Sequence, residues 1–166
     1  NENVEVDGDL TVNGGTFTGA YPCILNGATP NLYSSSHINF GATLQVGATA
    51  GIADVTLNMD GNATLAALTL GAAGHSRYVN LNGHTLTVSG DLTINQPTAS
   101  SQNSMLSIDS GTCTVNGNLI FAGTNNTVTR IGSVTSTSGT FNLNGAITWM
   151  SNTAVDTEVI STATGT

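Results

Sequence analysis

The stretch Leu86-Thr-Val-Ser-Gly90-Asp-Leu-Thr-Ile94 alternates apolar and polar residues on either side of a glycine. Alternation with period two turns one side of an extended chain inward. A glycine between two such runs lets the backbone bend or approach a neighbouring chain closely. The phrase returns as Val4-Glu-Val-Asp-Gly8-Asp-Leu-Thr-Val12, Cys113-Thr-Val-Asn-Gly117-Asn-Leu-Ile-Phe121 and Phe141-Asn-Leu-Asn-Gly145-Ala-Ile-Thr-Trp149. A looser copy runs from Leu57 and Met59 through Gly61 to Ala63 and Leu65. The loosest is centred on Ser36, with Leu32, Ser34, Ile38 and Phe40 around it. Centres at 8, 36, 61, 90, 117 and 145 are separated by 28, 25, 29, 27 and 28 residues.

One such unit cannot bury its apolar side alone, whereas units stacked on one another share a continuous core. The expected fold is therefore all-β, a single-stranded right-handed parallel β-helix (β-solenoid) forming one domain over residues 1–166. The spacing implies about six coils with ~27 residues per coil. Right-handed coiling follows by analogy with the handedness of parallel crossovers. Aligning the six centres gives four inward columns. They are Val4, Leu32, Leu57, Leu86, Cys113, Phe141; then Val6, Ser34, Met59, Val88, Val115, Leu143; then Leu10, Ile38, Ala63, Leu92, Leu119, Ile147; and finally Val12, Phe40, Leu65, Ile94, Phe121, Trp149.

Other faces are expected from Ala42–Val46, Ala67–Leu70, Tyr78–Asn82, Met105–Ile108 and Thr127–Ile131. The polar, Pro97-containing stretch Asn95–Ser104 reads as an outward loop. Ala63–Ala73 has helical propensity, but its place in the repeat and its Thr and Gly content favour a strand.

Composition narrows the function. Charged residues are 7% of the chain, and Arg77 and Arg130 are its only Lys or Arg residues against ten carboxylates, for a formal charge of −8. Two cations cannot neutralise a run of phosphates, so nucleic acid is not an expected partner. An anionic membrane surface is disfavoured for the same reason, and no apolar run is long enough to insert across a bilayer. The chain opens at Asn1 without Met, as expected of a secreted chain after signal cleavage or of a domain cut from a longer protein.

The Leu-Thr-Val-Ser-Gly-Asp-Leu-Thr-Ile grammar resembles the passenger solenoids of bacterial autotransporters and filamentous-haemagglutinin-like adhesins. Phage tail fibres use similar glycine-punctuated phrases. The resemblance implies a secreted or cell-surface β-helix that projects from cells or forms fibres, and it transfers no functional residue.

Candidate sites are sparse. Cys113 falls in an apolar column and reads as a buried small hydrophobe. Cys23 lies several coils away, too far for an intrachain disulfide; an intermolecular bond through Cys23 is the alternative. Asp7, Asp60, Ser89, Asn116 and Asn144 precede a central glycine, and Asp9, Asn62, Asp91 and Asn118 follow one. Such residues bond turn backbone, and a calcium site from Asp60 and Asp91 would lack most of its six to eight oxygens. His37, His75 and His84 show no metal-ligand spacing. Gly74-His-Ser-Arg-Tyr78 reads as a solvated turn, or else a small polar binding patch. Asn62-Ala-Thr64 and Asn125-Asn-Thr127 are glycosylation acceptors in a host that uses them. The Thr-x-Thr pairs at 85/87, 112/114, 127/129 and 135/137 do not align into one long ice-binding column.

No catalytic residue, metal site or cofactor site is expected. A solenoid presents strand edges at both ends, and head-to-tail stacking would satisfy them. The expected function is a non-enzymatic extracellular structural protein, a subunit of a surface fibre, filament or adhesin. Its partner would be copies of itself, and host-surface or matrix glycans are a further possibility. Candidate interface residues are Val4, Val6, Phe141, Leu143 and Trp149, with Val155–Ile160 as a segment that copies could exchange. The alternatives are a β-helix that binds or cleaves carbohydrate, or a domain of a longer adhesin or phage fibre.

Overall fold

The computed structural model describes residues 4–12, 16–17, 21–27, 31–34, 38–47, 53–71, 74–99, 102–123, 131–149 and 157–162. Among them every paired strand runs parallel to its neighbour, and no helix occurs. The fold is a three-faced parallel β-solenoid.

The chain visits the three faces in turn. It first lays down β1 (Val4–Val6), β2 (Leu10–Val12) and β3 (Thr16–Phe17). Above them come β4 (Cys23–Leu25), β5 (Asn31–Ser34) and the start of β6 (Ile38–Val46), which runs through a corner onto the first face again. Then β7 (Val55–Asp60) is followed by β8 (Ala63–Leu70), which likewise spans two faces. The next elements are β9 (Arg77–Asn80), β10 (Thr85–Val88), β11 (Leu92–Asn95), β12 (Asn103–Ser107) and β13 (Thr112–Val115). Last come β14 (Leu119–Ala122), β15 (Ile131–Ser136), β16 (Thr140–Leu143), β17 (Ile147–Thr148) and β18 (Thr157–Thr162).

On the first face β1, β4, β6, β8, β11, β14 and β17 stack in order, and the second face is the seven-stranded sheet from β2 to β18. The third face carries β3, β6, β8, β10, β13 and β16. Coil number and length therefore differ from six coils of uniform size. Steps up the first face lengthen from 19 residues (Val4 to Cys23) through 21 (Cys23 to Leu44) and 24 (Leu44 to Leu68) to 27 (Leu92 to Leu119) and 28 (Leu119 to Ile147). A step near 27 holds for about three turns, as on the second face from Val79 through Leu106 and Val134 to Ile160.

The period-two pattern becomes burial directly. In β11 Leu92 and Ile94 point inward while Thr93 and Asn95 point out, and β10 and β13 alternate in the same way. Leu44, Leu68, Leu92 and Leu119 form one wholly buried column. Each such side chain contributes about 1.5–3 kcal/mol on burial.

The columns read from the sequence hold from Leu86 onward. Leu86, Cys113 and Phe141 are in register, as are Val88, Val115 and Leu143, and Leu92, Leu119 and Ile147. Below that level they are corrected: Val4 lies under Cys23, Leu57 under Val79, and Leu65 under Val88. The Gly90 N–H bonds the Ala66 carbonyl at 2.7 Å, so Ala66, not Gly61, is the corner below Gly90. The Ser36 centre lies outside the described residues.

The reason is physical. Two inward-alternating strands joined by a polar–glycine–polar corner read alike wherever the corner falls. Val4–Val12 turns from the first face to the second, and Leu57–Leu65 from the second to the third. The three later copies turn from the third face to the first. The phrase marks a corner, and only its last three copies mark the same one.

The expected strand character of Ala63–Leu70 is observed as β8. The expected loop at 95–104 is shorter: Asn95 ends β11, Asn103 begins β12, and Gln96, Pro97 and Ser104 are buried. Of Thr127–Ile131, only Ile131 lies within the described residues.

Candidate functional site

Two strand edges and one polar corner are the features with chemistry to offer. At one edge β1 pairs only with β4 among the described residues, and Val4 is 50% exposed. At the other, β17 pairs only with β14 among the described residues, and Ile147 and Trp149 are 39% and 49% exposed. The Trp149 indole lies flat on the Phe121 ring beneath it, with centroids 5.1 Å apart and planes 6° from parallel. Phe141 and Leu143 are half-buried on the third face, whereas Val4 and Val6 belong to the first. The first-face counterparts of Val4 and Val6 are thus Ile147 and Trp149. Ile147 was missed as an edge residue because the sequence alignment placed Val4 and Phe141 in one column. Of Val155–Ile160, residues 155–156 lie outside the described residues and the remainder belongs to β18.

The corner polar residues tie one coil to the next. Asp91 Oδ1 accepts the Asn118 backbone N–H at 2.7 Å and its side-chain amide at 3.1 Å. Asn118 Oδ1 accepts the Ala146 N–H at 3.0 Å, and Asn116 Oδ1 accepts the Asn144 side-chain amide at 2.8 Å. Asn62, the first glycosylation acceptor, receives the Thr85 N–H at 2.8 Å. Asp60 and Asp91 stand at different corners, so they do not converge on a cation. Among the described residues no three His, Cys, Asp or Glu side chains come together to hold a metal.

Gly74–Tyr78 is not the exposed patch that its polarity suggests. Arg77 opens β9 facing inward, wholly buried, and its Nη1 donates to the carbonyls of Ala53 (2.7 Å) and Ser76 (3.0 Å). Burial pulls this guanidinium below its usual range, and Asp54 partly opposes the shift. His75 Nδ1 stands 3.6 Å from Asp54 Oδ1, which also accepts the Ser76 N–H. The Ser76 hydroxyl donates to Gln102 Oε1 at 2.6 Å, so Asp54, His75 and Ser76 do not form a nucleophile–base relay. Sequence reading missed this buried arginine because a lone charge between glycine and aromatic residues looks like a turn. The period-two pattern shared with Val79 was the available signal.

His84 is half-buried after the left-handed pair Asn82-Gly83, and His37 lies outside the described residues. Thr85 and Thr112 are in register, as are Thr87 and Thr114, so two of the four Thr-x-Thr pairs do stack. The 127/129 pair lies outside the described residues, and Thr135 is on another face. The acceptor at Asn125 also lies outside them.

Both cysteines are free and buried, which removes Cys23 from the surface where an intermolecular bond would form. Burial raises the Cys23 thiol and pushes Cys113 up to about 12. The thiolate is the reactive species. At pH 8 Cys113 should therefore resist a water-soluble alkylating reagent and be labelled at the unfolding rate; rapid native labelling would contradict its burial. Below pH ~9 both folded and unfolded thiols are protonated. Above that the unfolded chain ionises first, so this group lowers stability by about 1.4 kcal/mol per pH unit until the native thiol itself titrates.

No family model, curated protein or solved structure matches this chain.

Proposed function

We propose that the chain is a non-enzymatic structural module of an extracellular surface fibre, filament or adhesin, and that its solenoids join end to end. One observation carries this reading. Two first-face apolar columns pass through the solenoid and surface at both strand edges, as Val4 and the half-buried Val6 on one and Ile147 and Trp149 on the other. Edges of this kind, without a further partner strand among the described residues, template further strands. Stacking buries the apolar residues and pairs the backbone in one step, and repeated head-to-tail contacts that do not close give a filament.

Composition favours an exterior setting. The resemblance to adhesin and autotransporter solenoids points the same way, and a chain with two Lys and Arg residues in 166 suits neither nucleic acid nor an anionic membrane. The interior supports a scaffold role, since its buried cluster is built from apolar side chains such as Leu44, Leu68, Leu92 and Phe121.

Negative-stain microscopy and light scattering on the purified chain test the reading. Rods much longer than one solenoid are expected. Seven stacked layers span only about 29 Å between the first strand and the last. A chain that stays monomeric as its concentration is raised would overturn end-to-end assembly.

A further inference from the structure

We infer that the ends dock in a single register, with β1 of one copy pairing in parallel on the β17 edge of the next, so that Val4 caps Ile147 and Val6 caps Trp149. This deepens the end-to-end reading and rests on it.

The register follows from column membership. Val4 heads the series Cys23, Leu44, Leu68, Leu92, Leu119 and Ile147, each step fixed by strand pairing. Val6 heads the series Leu25, Val46, Leu70, Ile94 and Phe121, with Trp149 stacked on that last ring. A second copy translated along the axis, without being turned over, meets Ile147 and Trp149 with the two valines that begin the same columns. Parallel polarity is kept, as in every pairing inside the solenoid.

Trp149 is the anchor. Phe121 covers one face of its indole, and the residue is still about half exposed at 49%. Large aromatics in such positions dominate interface energetics.

Charge selects the polarity. The β1 end carries Glu5, Asp7 and Asp9, whereas at the other end residues 140–149 carry no charged side chain and β18 has Glu158 alone. Head-to-head contact would set one acidic end against another. Head-to-tail contact instead places the acidic end on one with fewer carboxylates, with Glu5 above Thr148. Glu5 Oε1 is already held by the Asn26 amide at 2.7 Å, which keeps it on the outward side of the strand.

Cysteine cross-linking reads the register. In parallel strands, facing positions lie about 5 Å apart, inside the disulfide range, whereas a shift of two residues opens the distance to about 8 Å. The Glu5→Cys/Thr148→Cys chain, oxidised after assembly, should give a reducible ladder of covalent multimers on a denaturing gel. The parent chain with its two buried cysteines, each single variant, and Asp7→Cys/Thr148→Cys should not. Trp149→Ala should abolish multimers in light scattering with little change in the melting curve, and Trp149→Phe should restore them. Rods that form without the ladder overturn this register and leave end-to-end assembly standing. Dimers from Thr148→Cys alone overturn it in favour of tail-to-tail contact. Absence of rods from the parent chain overturns the end-to-end reading itself.

Discussion

Replacing Gly117 by alanine is expected to remove more than about 3 kcal/mol of stability, while Gly8→Ala should change it by less than about 0.5 kcal/mol. Both glycines sit at the centre of the same phrase, so sequence alone ranks them equally. At Gly117 an added methyl would stand 2.5 Å from the carbonyl carbon and oxygen of Gly90 and 2.6 Å from Asp91 Oδ1. Two of these atoms are backbone of the coil below, held by the Gly117 N–H to the Gly90 carbonyl and by Asp91 to Asn118. Relief requires lifting one coil off another. Lifting strains the neighbouring pairs Val88–Val115 and Leu92–Leu119, whose burial depends on that spacing. At Gly8 no atom lies within 4 Å of the added methyl, so only the backbone's own freedom changes. Urea melts followed by circular dichroism compare the two variants. Equal midpoints would show that the corner at Gly117 does not press on Gly90.

Those two glycines also show what was legible in the sequence. Alternation such as Leu86-Thr-Val88 gives inward and outward sides without reference to any partner, and that part transferred directly to the structure. Corner identity is different. A glycine flanked by small polar residues records that the chain turns, not which of three corners it turns at. Where copies share a corner, as at Gly90, Gly117 and Gly145, their spacing equals the coil length and the columns follow. Gly8 and Gly61 belong to the other two corners, so their nearly regular spacing was coincidental. At Ala66 the turn into the first face is made without glycine, inside β8, and left no mark that the phrase could detect.

The edge residues were legible as hydrophobicity without a partner, but pairing Val4 with Ile147 needs the true register. Arg77 was the hardest to read, because its inward direction depends on what lies two coil-corners away in sequence. That dependence yields the second large effect.

Arg77→Ala is expected to cost about 4 kcal/mol, combining the cavity left by a wholly buried side chain with the loss of its hydrogen bonds to the Ala53 and Ser76 carbonyls. Gly47→Ala is expected to cost nearly as much for a related reason. A methyl on Gly47 would overlap the Arg77 side chain at Cδ and at Nε and Cζ of the guanidinium, a group held in place by Nη1 on the Ala53 and Ser76 carbonyls. Gly47 also has φ +78°, a left-handed conformation that charges a side chain about 1 kcal/mol or more. The two substitutions touch the same space and should not add. With Arg77 shortened to alanine the Gly47 methyl has room, and only the backbone strain is left. The double variant should then lose about 5 kcal/mol, not the roughly 8 kcal/mol of the summed singles, a coupling of about 3 kcal/mol. Gly8→Ala in the Arg77→Ala background is the control and should add nothing. Strict additivity at 47 and 77 would mean that the arginine does not lie across Gly47. The one buried cation among the described residues would then be packed elsewhere in the solenoid.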